Sequence, residues 1–500
     1  MPLDPRTPVI VGAGQMLRKL ESAVSASEPV DMMVAAARAA AADSGSGDAL
    51  LARADSVRTV ELLSWRYENA ALLLAERLGA SPRQTMKAVT GGNSPQALVN
   101  DASAAIQRRE LDVVVIAGAE AIYSRMLARK GPDRTHLDWT IQPDSTPAPE
   151  TLGKDAPGSS NYEMTKSLAM PVQVYPLFEN ALRAARSESI DDHQRRLGDL
   201  WARFSAVAAT NPHAWSPEPR TAEEIRTVTA DNRMVGFPYT KLMNANIQTD
   251  QAAALIVCSV AAARAAGVPD DRWVFVHSGA EANDHWYVTE RADLVSSPAI
   301  AACGRAAFDL AGTGIDGIAH LDLYSCFPSA VQIGAAALGV DLDDADRAPT
   351  VTGGLGFAGG PGNNYVTHSI ASMVEVLRGD PGSFGLVTAL GWYVTKHAVG
   401  IYSTEPPAAG FRGENVQAAV DALPRRTVDE DYTGPATVET YTVMHERDGS
   451  PSLGIIVALT PAGDRTLATT RETGVLKDMT VDERSGRAVT IAAGGTLATG

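Results

Sequence analysis

The sequence predicts an α/β protein built from two similar halves, followed by a small antiparallel β module. Short, fully apolar segments alternate with helical patterns over residues 8–121 and again over 254–403, which is typical of a covered sheet. A Thr-Gly-Gly turn at Thr90 precedes a helix and an apolar strand, and the same order recurs after Thr352, which indicates duplication. Beyond residue 410 the apolar residues recur at every second position, as in antiparallel strands.

The first half contains four apolar strand segments separated by amphipathic or Ala-rich helical segments. We predict strands at 8–12, 56–60, 85–89 and 113–117, and helices at about 30–42, 68–78 and 95–108. Continuous apolar strands that alternate with helices favour a mainly parallel sheet. The loop Thr90 to Ser94 opens the 95–108 helix, whose free N–H groups and positive dipole end would stabilise an acyl carbonyl or a reactive group placed there.

Residues from about 123 to 239 interrupt this alternation and predict an inserted, mostly helical subdomain. The segment 129–164 is rich in Pro, Asp, Ser and Gly and too long for a plain connector, so we expect a mobile flap or a cover over a site. Helices are expected at about 175–187 and 191–210. The alternation then resumes with strands at 254–259, 273–278, 318–324, 385–390 and 398–403 and helices at about 298–311, 329–338 and 365–377.

The Pro- and Ala-rich stretch 404–410 predicts a domain boundary, with domains at 1–405 and 406–500. Strands expected at 436–444, 452–459, 465–470, 479–481 and 487–491 are joined by Gly-containing turns. This arrangement predicts a small antiparallel module, a closed or OB-like β-barrel.

Composition excludes several classes of protein. A net charge of -16 argues against nucleic acid as a main partner, because phosphate binding needs clustered Lys and Arg. The three cysteines have no metal-ligand spacing, so no metal site is expected and a reducing, cytoplasmic location is favoured. No charged leader precedes an apolar core and no run of about eighteen apolar residues occurs, so we expect no membrane span.

Two glycine-rich segments resemble nucleotide-binding motifs. Gly312 to Gly317 has the GxGxxG pattern, but it follows a helix and leads into a strand, the reverse of the dinucleotide-binding order, so we predict a simple turn. The segment 353–362 lacks the Gly-Lys-Ser/Thr ending of a P-loop. Its glycines would instead allow an extended ligand to lie against the main chain.

Five ordered blocks resemble the thiolase superfamily, near the sterol-carrier-type thiolases. They are VVVIAGAE at 113–120, NANIQTDQAAA at 244–254, DLYSCFP at 322–328, GGLGFAGGPGN at 353–363 and GLVTALGW at 385–392. The similarity covers about residues 5–405 and is greatest to the actinobacterial thiolase-like protein type 1, which carries an extra C-terminal domain. This resemblance implies a duplicated five-layer α/β/α/β/α core with an acyl-CoA ligand.

The chemistry that the resemblance implies is missing at the matching positions. In thiolases a Cys at the helix N-terminus attacks the thioester, a His activates it and a second Cys moves the substrate proton. Here Gly92 stands at the nucleophile position, Gly360 at the His position, Leu390 at the second Cys position with Trp392 at the glycine that follows it, and Tyr324 at the Asn or His of the third block. Classical thiolysis or Claisen condensation is therefore not expected.

Other residues are candidates for a different chemistry. We interpret Ser94 as the N-cap of the 95–108 helix rather than a nucleophile, Asn93 as a turn residue and Cys326 as a buried thiol. Tyr324 is a candidate proton-transfer group, because some thiolase-like aldolases carry a Tyr in this block, and is otherwise a pocket-lining phenol. His285 and His397 are further catalytic candidates, although a lone His is more often structural.

Three functions of different classes remain open. The first is binding of an acyl-CoA or related thioester without thiolase turnover, the second an acyltransferase or β-hydroxyacyl-CoA retro-aldolase with altered residues, and the third a partner-binding role of the barrel. Thioester contacts are expected from Gly92, Asn93, Ser94, Asn244, Asn246, Gly359, Gly360 and Trp392, and by family likeness from Asn363 and Asn364, with no cofactor beyond the coenzyme A ligand. The resemblance implies a homodimer through the 85–89 strand, but Lys87 within it makes a monomer possible.

Overall fold

The first half alternates strands and helices as the sequence predicts. The computed structural model describes residues 3–130 and 136–498. The elements of this half are β1 (Pro8–Leu17), α1 (Pro29–Asp43), α2 (Ala49–Ala52), β2 (Ser56–Val60), α3 (Ala70–Leu78), β3 (Gln84–Ala88), α4 (Ser94–Gln107) and β4 (Val113–Ala121).

The segment predicted as an insertion follows, and the regular structure of its described residues is mainly helical. It comprises α5 (Ile122–Lys130), β5 (Glu150–Leu152), α6 (Asn161–Thr165), α7 (Pro171–Ala185), α8 (Ile190–Ala208), α9 (Ala222–Arg226), β6 (Met234–Gly236) and β7 (Tyr239–Thr240). Residues 131–135 of the predicted flap lie outside the described residues. The described part of the flap, from residue 136 to the start of α6, has no helix and no strand other than β5.

The second half repeats the alternation and the chain ends in a β module. The elements of the second half are β8 (Asp250–Ser259), α10 (Val260–Ala265), β9 (Val274–Asn283), α11 (Pro298–Ala311), β10 (Ile318–Asp322), α12 (Pro328–Leu338), α13 (Gly354–Phe357), α14 (Tyr365–Gly379), β11 (Phe384–Gly391), β12 (Lys396–Ser403), β13 (Arg412–Asn415) and α15 (Gln417–Asp421). The module contains β14 (Gly434–His445), β15 (Pro451–Leu459), β16 (Arg465–Thr470), α16 (Thr473–Val481), β17 (Ala488–Ala492) and β18 (Thr496–Leu497). Gly312 ends α11 in a left-handed conformation and leads into β10, so the GxGxxG segment is the helix-to-strand turn that we predict.

The two halves form five layers around a pair of central helices. The strand order of the large sheet is β10-β11-β12-β9-β1-β8-β4-β2-β3-β5, with β13 also paired to β9. Helices α4 and α14 each contact strands of both halves, whereas α1 packs on β1, β8 and β4, and α11 packs on β9 and β12. The duplicated five-layer core is therefore confirmed, with α4 and α14 at equivalent places after the two Thr-Gly-Gly turns.

The prediction of a mainly parallel sheet is wrong, because the sheet is mixed. Strand β8 runs antiparallel to both β1 and β4, and β12 runs antiparallel to both β9 and β11. The β11 and β12 strands are joined by a four-residue turn at 392–395, and a turn that short can join only antiparallel neighbours. Parallel pairing is retained where a helix connects the strands, as between β2 and β3.

Helix α4 is buried although it carries polar side chains, because glycines face them. A Cβ on Gly400 would lie 2.3 Å from the Gln96 amide nitrogen, and one on Gly279 would lie 2.3 Å from the Asn100 amide oxygen. Gln96 donates to Asn100 at 2.9 Å and accepts from the Tyr402 hydroxyl at 2.8 Å, so the amides of this helix face are satisfied inside the core. These contacts fix the helix against the second half and so fix the position of its N-terminus.

The C-terminal module is a closed five-stranded barrel, as the sequence predicts. The strands follow the order β15-β16-β18-β17-β14, and β14 pairs with β15 to close the ring. One pairing, β16 with β18, is parallel, so the barrel is not entirely antiparallel. The strand expected at 479–481 is instead the end of α16, because Leu476 and Met479 are buried at helical rather than alternating spacing.

The barrel is joined to the rest of the chain by strand pairing and by one buried arginine. Met444 of β14 pairs with Gly236 of the insertion. Arg465 of β16 donates to the carbonyl oxygens of Val288, Thr289 and Arg291, the last at 2.6 Å, and to the Glu439 carboxylate at 2.7 Å. Residues beyond 405 also return to the large sheet as β13, and the domain division at 405/406 stays a prediction.

Candidate ligand site at the N-terminus of helix α4

The Tyr324 phenol lies against Gly92 at the start of helix α4. A Cβ built on Gly92 would lie 2.1 Å from the Tyr324 hydroxyl oxygen and 2.5 Å from the carbonyl oxygen of Leu390. Real Cβ atoms essentially never approach another heavy atom so closely. The space that a side chain at position 92 would need is therefore filled by the phenol and by the backbone at the end of β11.

Local hydrogen bonds hold the loop that carries Gly92. The Ser94 hydroxyl donates to the Val89 carbonyl oxygen at 2.7 Å, and the Gly91 N–H donates to the Asn363 side-chain oxygen at 2.9 Å. The prediction that Ser94 is the N-cap is wrong: Asn93 is the N-cap and Ser94 is the first helical residue, with its hydroxyl turned back to the preceding strand. The Asn93 side-chain oxygen is buried and has no hydrogen-bond partner among the described residues.

The Tyr324 side chain is buried and stays protonated. Burial raises the pKa of Tyr324 well above its usual value, and the nearby Cys326 adds to the shift. Burial likewise raises the pKa of the Cys326 thiol to about 12. The Tyr324 ring packs edge-on against Tyr365, with 5.6 Å between ring centroids, and its backbone N–H donates to the Thr388 hydroxyl at 2.8 Å. At neutral pH the phenol can donate a hydrogen bond or a proton but is not a base.

His397 and Asp284 form a buried pair beside Tyr324. The His397 Nε2 atom lies 3.0 Å from the Asp284 carboxylate, which also accepts from the Ser297 hydroxyl and from the Ala299 N–H. Burial alone would raise the pKa of Asp284, but the His397 hydrogen bond and charge outweigh it and lower that pKa. His397 and Tyr324 line the same cavity of about 10 Å³ between β11, β12 and the helices α11 and α12.

His285 is the second buried histidine of this region. It is 7% exposed, and neither ring nitrogen has a hydrogen-bond partner in the described parts of the chain. Its backbone carbonyl accepts from the Arg291 guanidinium at 3.1 Å, which fixes the loop after β9. Buried imidazoles are normally hydrogen-bonded, so the two free nitrogens indicate a water or a ligand atom at this position.

The segment 153–160 of the predicted flap lies over two tryptophans of the site. A Cβ on Gly158 would lie 2.5 Å from the Trp392 ring, and the Trp286 indole N–H donates to the Pro157 carbonyl oxygen at 2.7 Å. The Lys154 ammonium lies 4.5 Å from the centroid of the Trp286 ring. The flap thus covers the turn after β11. This agrees with the second of the two alternatives predicted from the sequence, a cover rather than a mobile flap.

The glycine-rich loop of the second half contacts the 244–251 block directly. The Gly360 N–H donates to the Asn246 carbonyl oxygen at 2.9 Å, and a Cβ on Gly359 would lie 2.1 Å from the Gln251 side-chain oxygen. Gly359 has a φ of 109°, which a side chain would strain. The Asn244 amide nitrogen donates to Thr240, but its oxygen has no partner among residues 3–130 and 136–498.

The structure brings only some of the expected contact residues together at the start of α4. Gly92 and Asn93 lie against the end of β11, and Asn363 joins the glycine-rich loop to Gly91, whereas Gly360 contacts Asn246 and Trp392 lies beside Gly158. Asn363 and Asn364 were expected to contact a ligand, but their amide groups are used inside the protein: Asn363 also donates to Glu61, and Asn364 donates to the Gly118 carbonyl oxygen.

Sequence reasoning missed two buried polar groups of this region, Asp284 and Lys396. Asp284 lies 113 positions before its partner His397 in the chain, and no short motif connects them. Lys396 begins β12 and its ammonium donates to the Thr90 carbonyl oxygen at 2.7 Å, beside the Gly92 loop. The only sequence signal for this lysine was its place directly after the strand that matches the fifth thiolase block.

The described residues contain neither a membrane-spanning helix nor a cluster of metal ligands. In that part of the chain, no helix is both long enough and apolar enough to cross a membrane. No group of three or more His, Cys, Asp or Glu side chains within residues 3–130 and 136–498 is arranged to hold a metal ion.

Comparison with solved structures identifies the fold class as that of the thiolases. Human mitochondrial 3-ketoacyl-CoA thiolase matches with a TM-score of 0.55 and 18% identity over 80% of this chain and 100% of its own. The Ltp2-ChsH2(DUF35) aldolase matches with a TM-score of 0.60 and 20% identity over 79% of this chain and 98% of the other. At these identities the likeness establishes the fold alone.

A solved structure with higher sequence identity establishes the family. The monomeric SCP2-thiolase like protein type 1 from Mycobacterium smegmatis is 36% identical over 98% of both chains, with a TM-score of 0.85. Residues 415–496 match the thiolase-like protein type 1 additional C-terminal domain. The chain therefore belongs to the SCP2-thiolase-like protein type 1 family. A comparison with curated proteins gave no match.

Proposed function

We propose that the protein binds an acyl-CoA or a related thioester at the α4 N-terminus and does not catalyse thiolase turnover. The observation that carries this proposal is the contact between Gly92 and the Tyr324 phenol. By the thiolase resemblance Gly92 stands at the nucleophile position, and a Cβ there would lie 2.1 Å from the phenolic oxygen. A covalent acyl intermediate on residue 92 is therefore excluded by both chemistry and space.

Unsatisfied polar atoms in the site loops support a bound polar ligand. Buried polar groups in proteins are normally hydrogen-bonded. In the described chain, the side-chain oxygens of Asn93, Asn244 and Gln251 and both ring nitrogens of His285 have no partner. Asn93 and Asn244 are residues from which the sequence predicts thioester contacts, Gln251 lies in β8 within the same sequence block as Asn244, and His285 follows β9. The amide and carbonyl groups of a thioester ligand can supply both donors and acceptors.

Calorimetric titration with CoA, acetyl-CoA and longer acyl-CoAs tests the proposal. We expect saturable binding to the full-length protein and no formation of acetyl-CoA from acetoacetyl-CoA and CoA. Gly360→Phe would place a ring in the glycine-rich loop and is expected to weaken binding at least tenfold. The matched control is Gly314→Phe, because a Cβ at Gly314 meets nothing within 4 Å. Failure of every CoA ester to bind would contradict the proposal.

The Asp284–His397 pair favours a second candidate, a β-hydroxyacyl-CoA retro-aldolase or an acyltransferase. With Nε2 held by Asp284 at 3.0 Å, the His397 Nδ1 atom is left to act as a base toward the cavity that Tyr324 also lines. A panel of acyl-CoA and β-hydroxyacyl-CoA substrates tests this candidate with Tyr324→Phe and His397→Gln. If the wild type converts a substrate and both variants do not, this enzymatic function replaces pure binding. If the wild type shows no turnover above that in buffer alone, the candidate is eliminated.

We also propose that the protein is a monomer. The edge of β3, through which dimerisation was expected, is paired with β5 from the same chain, as Met86 to Glu150 and Ala88 to Leu152. A covered edge has no free N–H and C=O groups to offer a second subunit. Size-exclusion chromatography with light scattering should give one chain per particle, and a dimer at micromolar concentration would contradict this proposal.

A further inference from the structure

Lys396 places a buried amine beside the loop that begins α4. The residue is 2% exposed, and its ammonium group donates to the Thr90 carbonyl oxygen at 2.7 Å. A Cβ on Gly91 would lie 3.0 Å from the Lys396 Nζ atom, so the amine lies against a stretch of bare backbone. The nearest side-chain oxygen of the loop, that of Asn93, has no partner among the described residues.

The hydrogen bond of this amine goes to a neutral carbonyl oxygen and not to a carboxylate. A buried ammonium without a carboxylate partner is unfavourable, and the positive end of the α4 dipole adds to the penalty. Burial accordingly lowers the pKa of Lys396 to about 8, although the Asp155 charge acts in the opposite direction. At pH 7 about one amine in ten is then unprotonated, which makes it a competent nucleophile.

A proton donor from another part of the chain, the Tyr324 phenol, lies against the same loop. The Tyr324 hydroxyl contacts Gly92, the residue next to the one that the amine contacts. Burial keeps this phenol protonated, since it raises the pKa of Tyr324 well above the usual value. An amine nucleophile and a protonated phenol at one helix N-terminus are the two groups that addition to a carbonyl and loss of its oxygen require.

We propose that Lys396 forms an imine with the ketone carbonyl of a bound 3-oxoacyl thioester. The nitrogen lone pair adds to the ketone carbon, the C=O π bond opens, and one proton passes from the nitrogen to the oxygen to give an alcohol. The Tyr324 phenol protonates this hydroxyl, which leaves as water as the nitrogen lone pair forms the C=N bond, and the second nitrogen proton returns to the phenolate. Nothing is oxidised or reduced. Attack on the thioester carbonyl would instead expel the thiol and leave a permanent amide, whereas the imine is reversed by water. The inference rests on the proposed function, because it requires the thioester to bind at α4.

Reductive trapping tests the inference. The full-length protein is incubated with acetoacetyl-CoA and sodium cyanoborohydride, and its peptides are analysed by mass spectrometry. We expect an adduct on Lys396 with the mass of the ligand minus one oxygen atom, and at least a tenfold lower yield of total adduct in Lys396→Arg, which keeps the charge and the Thr90 contact. Lys166→Arg is the matched control, because Lys166 also donates to one backbone carbonyl but in the barrel contact, and it should trap as the wild type does.

The outcomes separate this inference from the proposed function. Acetyl-CoA has no ketone and must give no adduct at Lys396. If acetoacetyl-CoA binds in calorimetry but no trapped adduct forms, the imine is wrong and the binding function stands. An adduct that has lost CoA is an amide, and an adduct on another lysine shows a different site; either result overturns the inference. If no CoA ester binds and no adduct forms, both proposals are wrong.

Discussion

Substitution of Gly92 by alanine tests whether the Tyr324 phenol fills the space at the α4 N-terminus. The added methyl carbon would lie 2.1 Å from the phenolic oxygen, 2.5 Å from the Leu390 carbonyl oxygen and 2.7 Å from the Tyr324 Cζ atom. Neither the buried ring nor the backbone carbonyl can move freely, so the contact must be relieved by local displacement. Overpacking of this kind costs about 1–3 kcal/mol.

Chemical denaturation followed by near-ultraviolet circular dichroism measures the cost. Gly314→Ala is the control, because a Cβ at Gly314 meets nothing within 4 Å, and it should change the free energy of unfolding by less than about 0.5 kcal/mol. In a Tyr324→Phe background the effect of Gly92→Ala should fall by about 0.5–1 kcal/mol, since the closest contact atom is removed. The reasoning is refuted if Gly92→Ala is as stable as Gly314→Ala, or if the two substitutions are additive.

Three further predictions follow from buried charges. Burial lowers the pKa of Lys396 to about 8, so the folded protein gains stability as the pH rises through the range in which the unfolded lysine is still protonated. Relative to Lys396→Met, the wild-type free energy of unfolding in urea titrations should rise between about pH 8 and 10.5. A difference that does not change with pH would contradict this. Burial raises the pKa of Glu120 to about 7, so its contribution is lost as pH rises from about 4.5 to 7, and Glu120→Gln should remove that dependence. Arg465→Met leaves Glu439 and three carbonyl oxygens without their donor and should destabilise the barrel contact by about 3–5 kcal/mol, whereas an unchanged thermal transition would contradict the role given to Arg465.

The sequence predicts the bounds of a helix or strand well where the start and end of the element are visible in its local residues. The strand at 56–60 and the helix at 298–311 have the predicted bounds. The helix is delimited by the Ser297 N-cap with Pro298 after it and by Gly312 at its end, which are signals that the sequence shows. The direction of the strands was harder to predict. It depends on how the insertion returns the chain to β8 and on the short turn before β12, and neither is visible in local periodicity.

The site could be predicted only in part. The position of Gly92 follows from the ordered thiolase-like blocks, but its contact with Tyr324 joins residues 232 positions apart and needs the three-dimensional structure. The same holds for the Asp284–His397 pair, in which a histidine without neighbouring partners in sequence proves to be held by a distant carboxylate. Lys396 was passed over because exposure decides whether a lysine is an ordinary surface charge or a buried amine, and sequence alone does not give exposure.

Equilibrium dialysis of the wild-type protein against labelled acetoacetyl-CoA and unlabelled CoA tests whether the protein binds a thioester and leaves it intact. After equilibration the protein chamber is denatured and its CoA esters are separated by chromatography. The account predicts an excess of label on the protein side, approaching one ligand per chain and recovered as intact acetoacetyl-CoA. Equal label on both sides would contradict binding, and recovery of acetyl-CoA would contradict the loss of thiolase chemistry at Gly92.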